Sequence, residues 1–250
     1  MIIDPALGRF MMMDPHAENY YSISPYAYVG NNPIKYIDPT GMVIDDYYNE
    51  YGEYLYTDTQ ETDNIRIIKQ SDWETIQNTY GNEITLIRDL NASSKAINNA
   101  DLSPEALSNI FTDITSKMPD LNLNQLHNGK VSISTGRRTS DGKETGYNDP
   151  YTGWEVVFAM HVRFAEGKSR VTIPVGNTVN SLYLLGTVSN VQSTMVHELE
   201  GHEMRGYSGA AGEAEAYMLQ RNHASWSKTT TEYQKMIRAN YYDYTGKTMP

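Results

Sequence analysis

The chain has 250 residues, 39% of them hydrophobic, and a formal net charge of −11. This acidity argues against nucleic acid as the main partner, because phosphate binding needs clustered lysine and arginine. The chain contains no cysteine, which excludes a disulfide scaffold and a thiolate nucleophile and leaves only nitrogen and oxygen ligands for a metal.

The N-terminal part is rich in turn-forming and aromatic residues. Five of the ten prolines lie within the first 39 residues, and ten of the 20 tyrosines precede residue 57. No apolar run reaches about 18 residues, so we expect no membrane span. We also expect no signal peptide, because Met1 leads directly into this turn-rich segment.

Residues 4–42 contain a series of short motifs: Asp4-Pro5, Leu7-Gly8-Arg9-Phe10, Asp14-Pro15, Pro25-Tyr26, Tyr28, Asn31-Asn32-Pro33 and Asp38-Pro39-x-Gly41. Over its whole length this segment resembles the terminal part of the RHS (YD-repeat) associated core. The resemblance implies a segment that closes one end of a large β-cage and precedes a polymorphic C-terminal toxin domain. It also implies an aspartyl-type self-cleavage pair, Asp14 and Asp38, with the cut after Met42. Judged as residues alone, Asp-Pro and Pro-x-Gly are turn formers, and both interpretations remain open.

Residues 43–65 hold seven acidic residues and no lysine or arginine. Self-repulsion predicts an extended or loosely packed linker, although its five tyrosines leave open whether it packs on the following domain. The expected organisation is therefore an RHS-core terminal segment (1–42), an acidic linker (43–65) and a C-terminal toxin domain (66–250).

The patterns after residue 65 predict an α+β domain. A short strand is expected at 65–69, and Ser103-Pro104 is a strong helix start, with serine as the cap and proline in the first turn. The residues that follow recur at helical spacing and predict one apolar face: Leu107, Ile110, Phe111, Ile114 and Met118.

Further strands are predicted at 130–135, 155–164 and 169–175, the last two as a hairpin, and the polar loop 136–153 is expected to lie over a site. An edge strand can bind a peptide by strand addition. Val171-Thr172-Ile173 is the candidate for that edge strand, and an ordinary core hairpin is the alternative.

The strongest chemical signal is the motif His197-Glu198-Leu199-Glu200-Gly201-His202. Neutral imidazoles bind zinc, and a glutamate beside the first histidine can take a proton from water. The histidines are five residues apart, which places them roughly 140° apart on an ideal α-helix. A π-bulge would bring them to one side, and Gly201 is where such a distortion costs least. We predict a metal helix from about Ser193 to Met204, capped by Ser193 or Thr194, followed by a second helix at about 212–224.

This motif resembles the H-E-L-L-G-H of dipeptidyl-peptidase III and, more strongly, the H-E-L-x-G-H toxin domains of RHS proteins, both with a later E-x-x-A. The match covers only about 27 residues, from His197 to His223. The resemblance implies a zincin-like, gluzincin-type metallopeptidase fold, with a small sheet and a pair of metal-binding helices. It implies zinc ligands at His197, His202 and Glu213 and a general base at Glu198. Glu215 is the rival third ligand, although it would lie about 200° around the helix from Glu213.

Three outer residues are candidates for stabilising the oxyanion of a tetrahedral intermediate, namely His223, Tyr217 and Tyr207. Each has an ordinary structural alternative: a helix-end cation for His223, helix packing for Tyr217 and an exposed loop for Tyr207. Glu200 and Glu203 flank the motif and are expected to be solvated.

Together these observations predict a zinc-dependent hydrolase, above all a peptidase, that forms the tip of an RHS-type polymorphic toxin. The resemblance implies a secreted or delivered bacterial effector, a peptide or protein substrate and a cognate immunity protein over the cleft. Two alternatives remain: a catalytically inactive structural or interaction tip, and a zinc hydrolase of non-peptide bonds such as cell-wall cross-links or esters.

Overall fold

A computed structural model describes residues 3–4, 9–10, 45–58, 62–79, 83–134, 148–149, 153–154, 160–163, 169–175 and 181–250. Asp14, Asp38 and Met42 lie outside these ranges, as do most of the RHS-like segment and most of the predicted loop 136–153. The described strands are β1 (Ile3–Asp4), β2 (Arg9–Phe10), β3 (Asp46–Tyr48), β4 (Tyr54–Thr57), β5 (Ile65–Ile67), β6 (Lys95–Ala96), β7 (Ser132–Ser134), β8 (Asn148–Asp149), β9 (Gly153–Trp154), β10 (Met160–Arg163) and β11 (Ser169–Pro174).

The described α-helices are α1 (Gln70–Thr79), α2 (Glu83–Ser93), α3 (Pro104–Ser116), α4 (Val188–Met195), α5 (Gly209–Asn222) and α6 (Thr231–Thr245). A π-helical segment, Val196–Met204, continues α4, and short 3₁₀ turns lie at Ile97–Asn99, Leu123–Gln125, His127–Gly129, Ser181–Tyr183 and Ala224–Lys228. The fold is therefore mixed α+β, as the sequence predicted. None of the helices in the described ranges is long and apolar enough to cross a membrane.

The acidic segment is part of a four-stranded sheet, with the order β4-β3-β5-β6. Strand β3 pairs antiparallel with β4 and parallel with β5, and Tyr47 and Tyr48 on β3 are fully buried. The predicted loosely packed linker is therefore wrong for the described part of residues 43–65. The predicted boundary at 65/66 also falls inside β5.

Hydrogen bonds offset the charge repulsion that the sequence suggested in this segment. The carboxylate of Asp45 accepts from the backbone N–H of Asn64 at 2.7 Å, and that of Asp58 accepts from the N–H of Asp45 at 2.9 Å. The hydroxyl of Tyr47 also donates to Asp58 at 2.9 Å. Buried carboxylates that receive two or more hydrogen bonds can be tolerated, whereas unpaired ones cannot.

A second sheet has the order β10-β11-β7, with β10 antiparallel and β7 parallel to β11. The antiparallel pairing predicted for these two strands is confirmed over Met160–Arg163, and the rest of the predicted strand 155–164 lies outside the described residues. The candidate edge strand is wrong, because Val171-Thr172-Ile173 lies in the central strand. Val171 and Ile173 are fully buried, so their alternation reflects core packing.

The predicted helix at Ser103-Pro104 is confirmed as α3. The Ser103 side chain accepts a hydrogen bond from the Ala106 N–H, and Pro104 occupies the first turn. The five predicted apolar residues are all buried, and they belong to one core cluster with both sheets and α4: Leu107, Ile110, Phe111, Ile114 and Met118. This cluster also contains Val196 and Leu199, which anchor the π segment in the protein interior.

Asp63 joins the first sheet to the N-terminus of α4. Its carboxylate accepts from the Ser189 N–H at 2.7 Å, and its backbone carbonyl accepts from the Val188 N–H at 2.9 Å. Burial raises the pKa of Asp63 from 3.8 to about 7, against the lowering effect of the Ser189 hydrogen bond. The folded protein therefore favours the protonated carboxyl.

This pKa makes a prediction about the pH dependence of stability. The folded pKa of Asp63 lies above its unfolded value, so its stabilising contribution is complete below pH 3.8 and is lost as pH rises through about 7. The loss amounts to at most about 4 kcal/mol. Urea unfolding of wild type and Asp63→Asn should show the variant gaining stability relative to wild type between acidic and mildly alkaline pH. A difference that does not change with pH would contradict this assignment.

Candidate metal centre

The helix that carries the two histidines begins earlier than predicted. Thr187 caps α4, and its hydroxyl accepts from the Asn190 N–H at 3.3 Å. Ser193 and Thr194 are buried inside the helix, so the predicted caps are wrong. The Thr194 hydroxyl donates to the Asn190 carbonyl at 2.9 Å, a contact made by threonines inside a helix and not by a residue that begins one.

The predicted local distortion is confirmed, and it extends through Val196–Met204 as a π-helix. In such a helix the hydrogen bonds run between residues five apart, which brings residues with that spacing to the same side. The ring centroids of His197 and His202 lie 4.8 Å apart. The five-residue spacing of the histidines is thus matched by a π-helical backbone, and both imidazoles lie on the same side of the helix.

Helix α5 packs closely across the π segment. A Cβ atom at Gly201 would lie 3.0 Å from the Cβ of Ala216, which is tighter than almost all real contacts. Glycine at this position therefore allows the two helices to approach. Helix α5 begins at Gly209, ahead of the predicted start near 212, so Glu213 lies in its early turns.

Glu213 completes a group of three possible metal ligands. Its Oε2 lies 3.2 Å from His197 Nε2, and its Oε1 lies 3.3 Å from His202 Nε2. One ligand atom from each of the three residues lies within 4.8 Å of the others. Two ligands on a tetrahedral zinc with bonds of about 2.1 Å are about 3.4 Å apart, so this donor set fits such an ion.

The two candidate acids on α5 have different surroundings. Glu213 is one-quarter exposed and contacts both histidines, whereas the Glu215 side chain is exposed to solvent. Within the described residues, Glu215 belongs to no potential metal-binding group. The helical separation of two residues turns Glu215 away, as the sequence geometry indicated.

The backbone of Tyr207 fixes the ring of His202. The Nδ1 of His202 lies 2.8 Å from the carbonyl oxygen of Tyr207. A carbonyl can only accept, so Nδ1 carries the proton, and Nε2 is left to face Glu213. This is the arrangement by which histidine ligands of metals are commonly oriented.

The electrostatics of the group favour a positive charge. Burial would raise the pKa of Glu213, but its hydrogen bonds and charge interactions with His197 and His202 lower it to about 2. Burial would lower the pKa of His202, but Glu213, Glu198 and the Tyr207 carbonyl raise it to about 9. The two carboxylates therefore stabilise a cation at this position, whether a proton or a metal.

Glu198 is buried directly beside the first histidine. Only 6% of its surface is exposed, and burial raises its pKa while the charges of His197 and His202 lower it. A carboxyl whose pKa is raised toward neutrality is suited to general-base chemistry. Glu203 is also buried, so the expectation that it is solvated is wrong. Glu200 forms an ion pair with Arg205 at 2.5 Å.

The three outer candidates have different positions. The ring of Tyr217 packs 4.4 Å from that of His197, and its hydroxyl accepts from Asn240 at 3.2 Å. His223 follows the last turn of α5, about 15 Å along the helix axis from Glu213. Its Nδ1 accepts from the Ser225 N–H at 3.2 Å, so His223 caps the 3₁₀ turn that follows α5.

Tyr207 contributes to the site through its backbone. Its N–H donates to the Gly201 carbonyl at 3.1 Å, and its carbonyl accepts from His202. The glycines at 206, 209 and 212 indicated a close turn here. They did not indicate which backbone group would contact His202.

Comparisons with known proteins add little to this geometry. No family model matches the chain, and no solved structure matches it. A stretch of 42 residues, 17% of the chain, is 50% identical to part of salivary gland surface protein 1 of Aedes aegypti. The chain spans only about 1% of the length of that protein. Fold and site thus define an α+β protein with a His-His-Glu group that can hold a metal ion.

Proposed function

We propose that this chain is a zinc-dependent hydrolase of peptide bonds with a zincin-like, gluzincin-type metallopeptidase domain. The observation that carries the proposal is the convergence of His197, His202 and Glu213 across a π-helical turn. The position of Glu198, buried and adjacent to the first of these ligands, supports it further. Zinc fits this donor set better than magnesium or calcium, which prefer oxygen ligands.

In this proposal the three ligands hold zinc, which when bound polarises a carbonyl group and lowers the pKa of water to about 7. Glu198 accepts a proton from the attacking water and delivers it to the leaving amine. The Tyr207 carbonyl keeps His202 in the required tautomer. The ring of Tyr217 packs on His197 and restricts its rotation, and its hydroxyl accepts from Asn240.

The substrate is proposed to be an extended peptide or protein segment. In the described part of the second sheet, β10 is an outer strand, and it also packs against the π segment. An outer strand can accept a substrate by backbone hydrogen bonding. The strand that would bind the substrate is therefore β10 and not β11.

The biological setting is proposed from the two sequence resemblances. Residues 4–42 are similar to the RHS-core terminus, and residues 197–223 are similar to the metallopeptidase tips of RHS proteins. On this basis the chain is the toxin tip of a delivered or secreted bacterial effector, released by cleavage after Met42 through Asp14 and Asp38. Its cognate partner is an immunity protein that covers the cleft.

Metal removal tests the proposal directly. Purified protein is expected to bind one zinc ion and to cleave a library of proteome-derived peptides. Cleavage should stop after treatment with a chelator and return when zinc is added back, because the water and the carbonyl are no longer activated without the ion. Zinc content is read by elemental analysis and cleavage by mass spectrometry.

The outcomes separate the alternatives. Protein that binds no zinc at neutral pH would contradict the proposal and favour an inactive structural tip. Protein that binds zinc, leaves every peptide intact and hydrolyses esters or cell-wall cross-links would favour a hydrolase of non-peptide bonds.

A further inference from the structure

Gly212 lies where the chain that follows the π segment packs against the start of α5. A Cβ atom at this position would lie 2.8 Å from the carbonyl carbon of Tyr207 and 3.2 Å from its Cα. Real Cβ atoms essentially never come this close, and the obstructing atoms are backbone, which cannot swing aside as a flexible side chain can. Gly212 lies within helix α5, a conformation that other residues also adopt. Glycine is required here because there is no room for a side chain.

The backbone that Gly212 accommodates makes two hydrogen bonds at the metal centre. The Tyr207 N–H donates to the Gly201 carbonyl at 3.1 Å and closes the end of the π segment. The Tyr207 carbonyl, 2.8 Å from His202 Nδ1, accepts the proton that fixes this ring. A methyl group at position 212 would require the Tyr207 backbone to shift, which would disturb both contacts.

We propose that Gly212 is a positioning residue of the metal centre. It allows the Tyr207 peptide to lie between the π segment and α5, where the carbonyl holds His202 with Nε2 free to bind the ion. This inference rests on the proposed metal binding, but the packing and hydrogen bonds on which it depends exist without a metal. It adds Gly212, which follows His202 by ten residues in the sequence, to the residues that determine metal affinity.

The test compares Gly212→Ala with Gly186→Ala. Gly186 is a matched control, because the nearest atom to an added Cβ is the Leu182 carbonyl oxygen at 3.7 Å, an ordinary contact. We expect Gly212→Ala to weaken zinc binding about 10- to 100-fold, the usual effect of losing a partner of a metal-ligating histidine. In the metal-free protein, hydrogen exchange at the Tyr207 amide should become faster. The control should match wild type in both measurements.

Each result bears on the inference separately from the proposed function. The inference would be overturned if Gly212→Ala bound zinc as tightly as wild type and if its Tyr207 amide were equally protected. Wild type that binds no zinc would refute the proposed function, while the amide exchange would still report on the Tyr207 peptide. Should Gly212→Ala not fold, NMR of wild type replaces it. A slowly exchanging His202 Nδ1 proton coupled to the Tyr207 carbonyl carbon would support the inference, and its absence would overturn it.

Discussion

Replacing Glu198 with glutamine is expected to lower kcat/KM for peptide cleavage by about 10²- to 10⁴-fold, the usual contribution of a positioned general base. Glutamine has nearly the same shape and can occupy the same buried position beside His197. Its amide oxygen, however, cannot take a proton from water. Steady-state cleavage of one peptide identified from the library, with both proteins fully loaded with zinc, measures the effect.

Zinc affinity is expected to change little in Glu198→Gln, because Glu198 is outside the group of three ligands. Glu200→Gln is the matched control: the same chemical change two residues further on, at a side chain paired with Arg205. We expect its kcat/KM to stay near that of wild type. Undiminished cleavage by Glu198→Gln would refute the base assignment. A parallel loss of zinc would instead identify Glu198 as part of the metal-holding structure.

The sequence predicted the grouping of the two histidines with an acid of α5 where the geometry is set by local winding. His197 and His202 share one helical segment, so their spacing alone limits how the backbone must wind if both are to face one ion. The π-helix over Val196–Met204 meets that condition. Helical rotation allows only one of Glu213 and Glu215 to face the histidines, and it was the resemblance that favoured Glu213.

The sequence failed where long-range pairing decides the structure. Val171 and Ile173 alternate with polar residues whether β11 is an edge or a central strand. Its position was settled by the parallel partner β7, which lies far away in the sequence. Glu203 likewise carries no local sign of its burial, since neighbouring charges on a helix are usually solvated.

The number of acidic residues also gave a wrong expectation for the packing of residues 43–65. Seven acids without a basic residue indicate repulsion only if the carboxylates have no partners. In the fold, Asp45 and Asp58 accept hydrogen bonds from backbone N–H groups and from Tyr47. Such partners come from neighbouring strands, and their identity depends on the sheet register.

Replacing Glu213 with glutamine is expected to weaken zinc binding by about 60- to 700-fold. Zinc sites with four protein ligands bind with about 10–16 kcal/mol, or about 2.5–4 kcal/mol per ligand, and each 1.4 kcal/mol is a factor of about ten. Glutamine removes the negative charge that lies 3.2 Å from His197 Nε2 and 3.3 Å from His202 Nε2. Competition titration against a chromogenic chelator measures the affinity.

Glu215→Gln makes the identical change on the same helix at an exposed side chain, and its zinc affinity is expected to equal that of wild type. The pair of variants therefore separates coordination by one carboxylate from the general effect of negative charge near the two histidines. Equal losses in both variants would show that long-range charge sets the affinity and would remove Glu213 from the ligand set. A loss confined to Glu215→Gln would require α5 to be rotated relative to the π segment, which the close contact of Gly201 with Ala216 opposes. A loss confined to Glu213→Gln is the result that the geometry predicts, because only that carboxylate reaches both imidazoles.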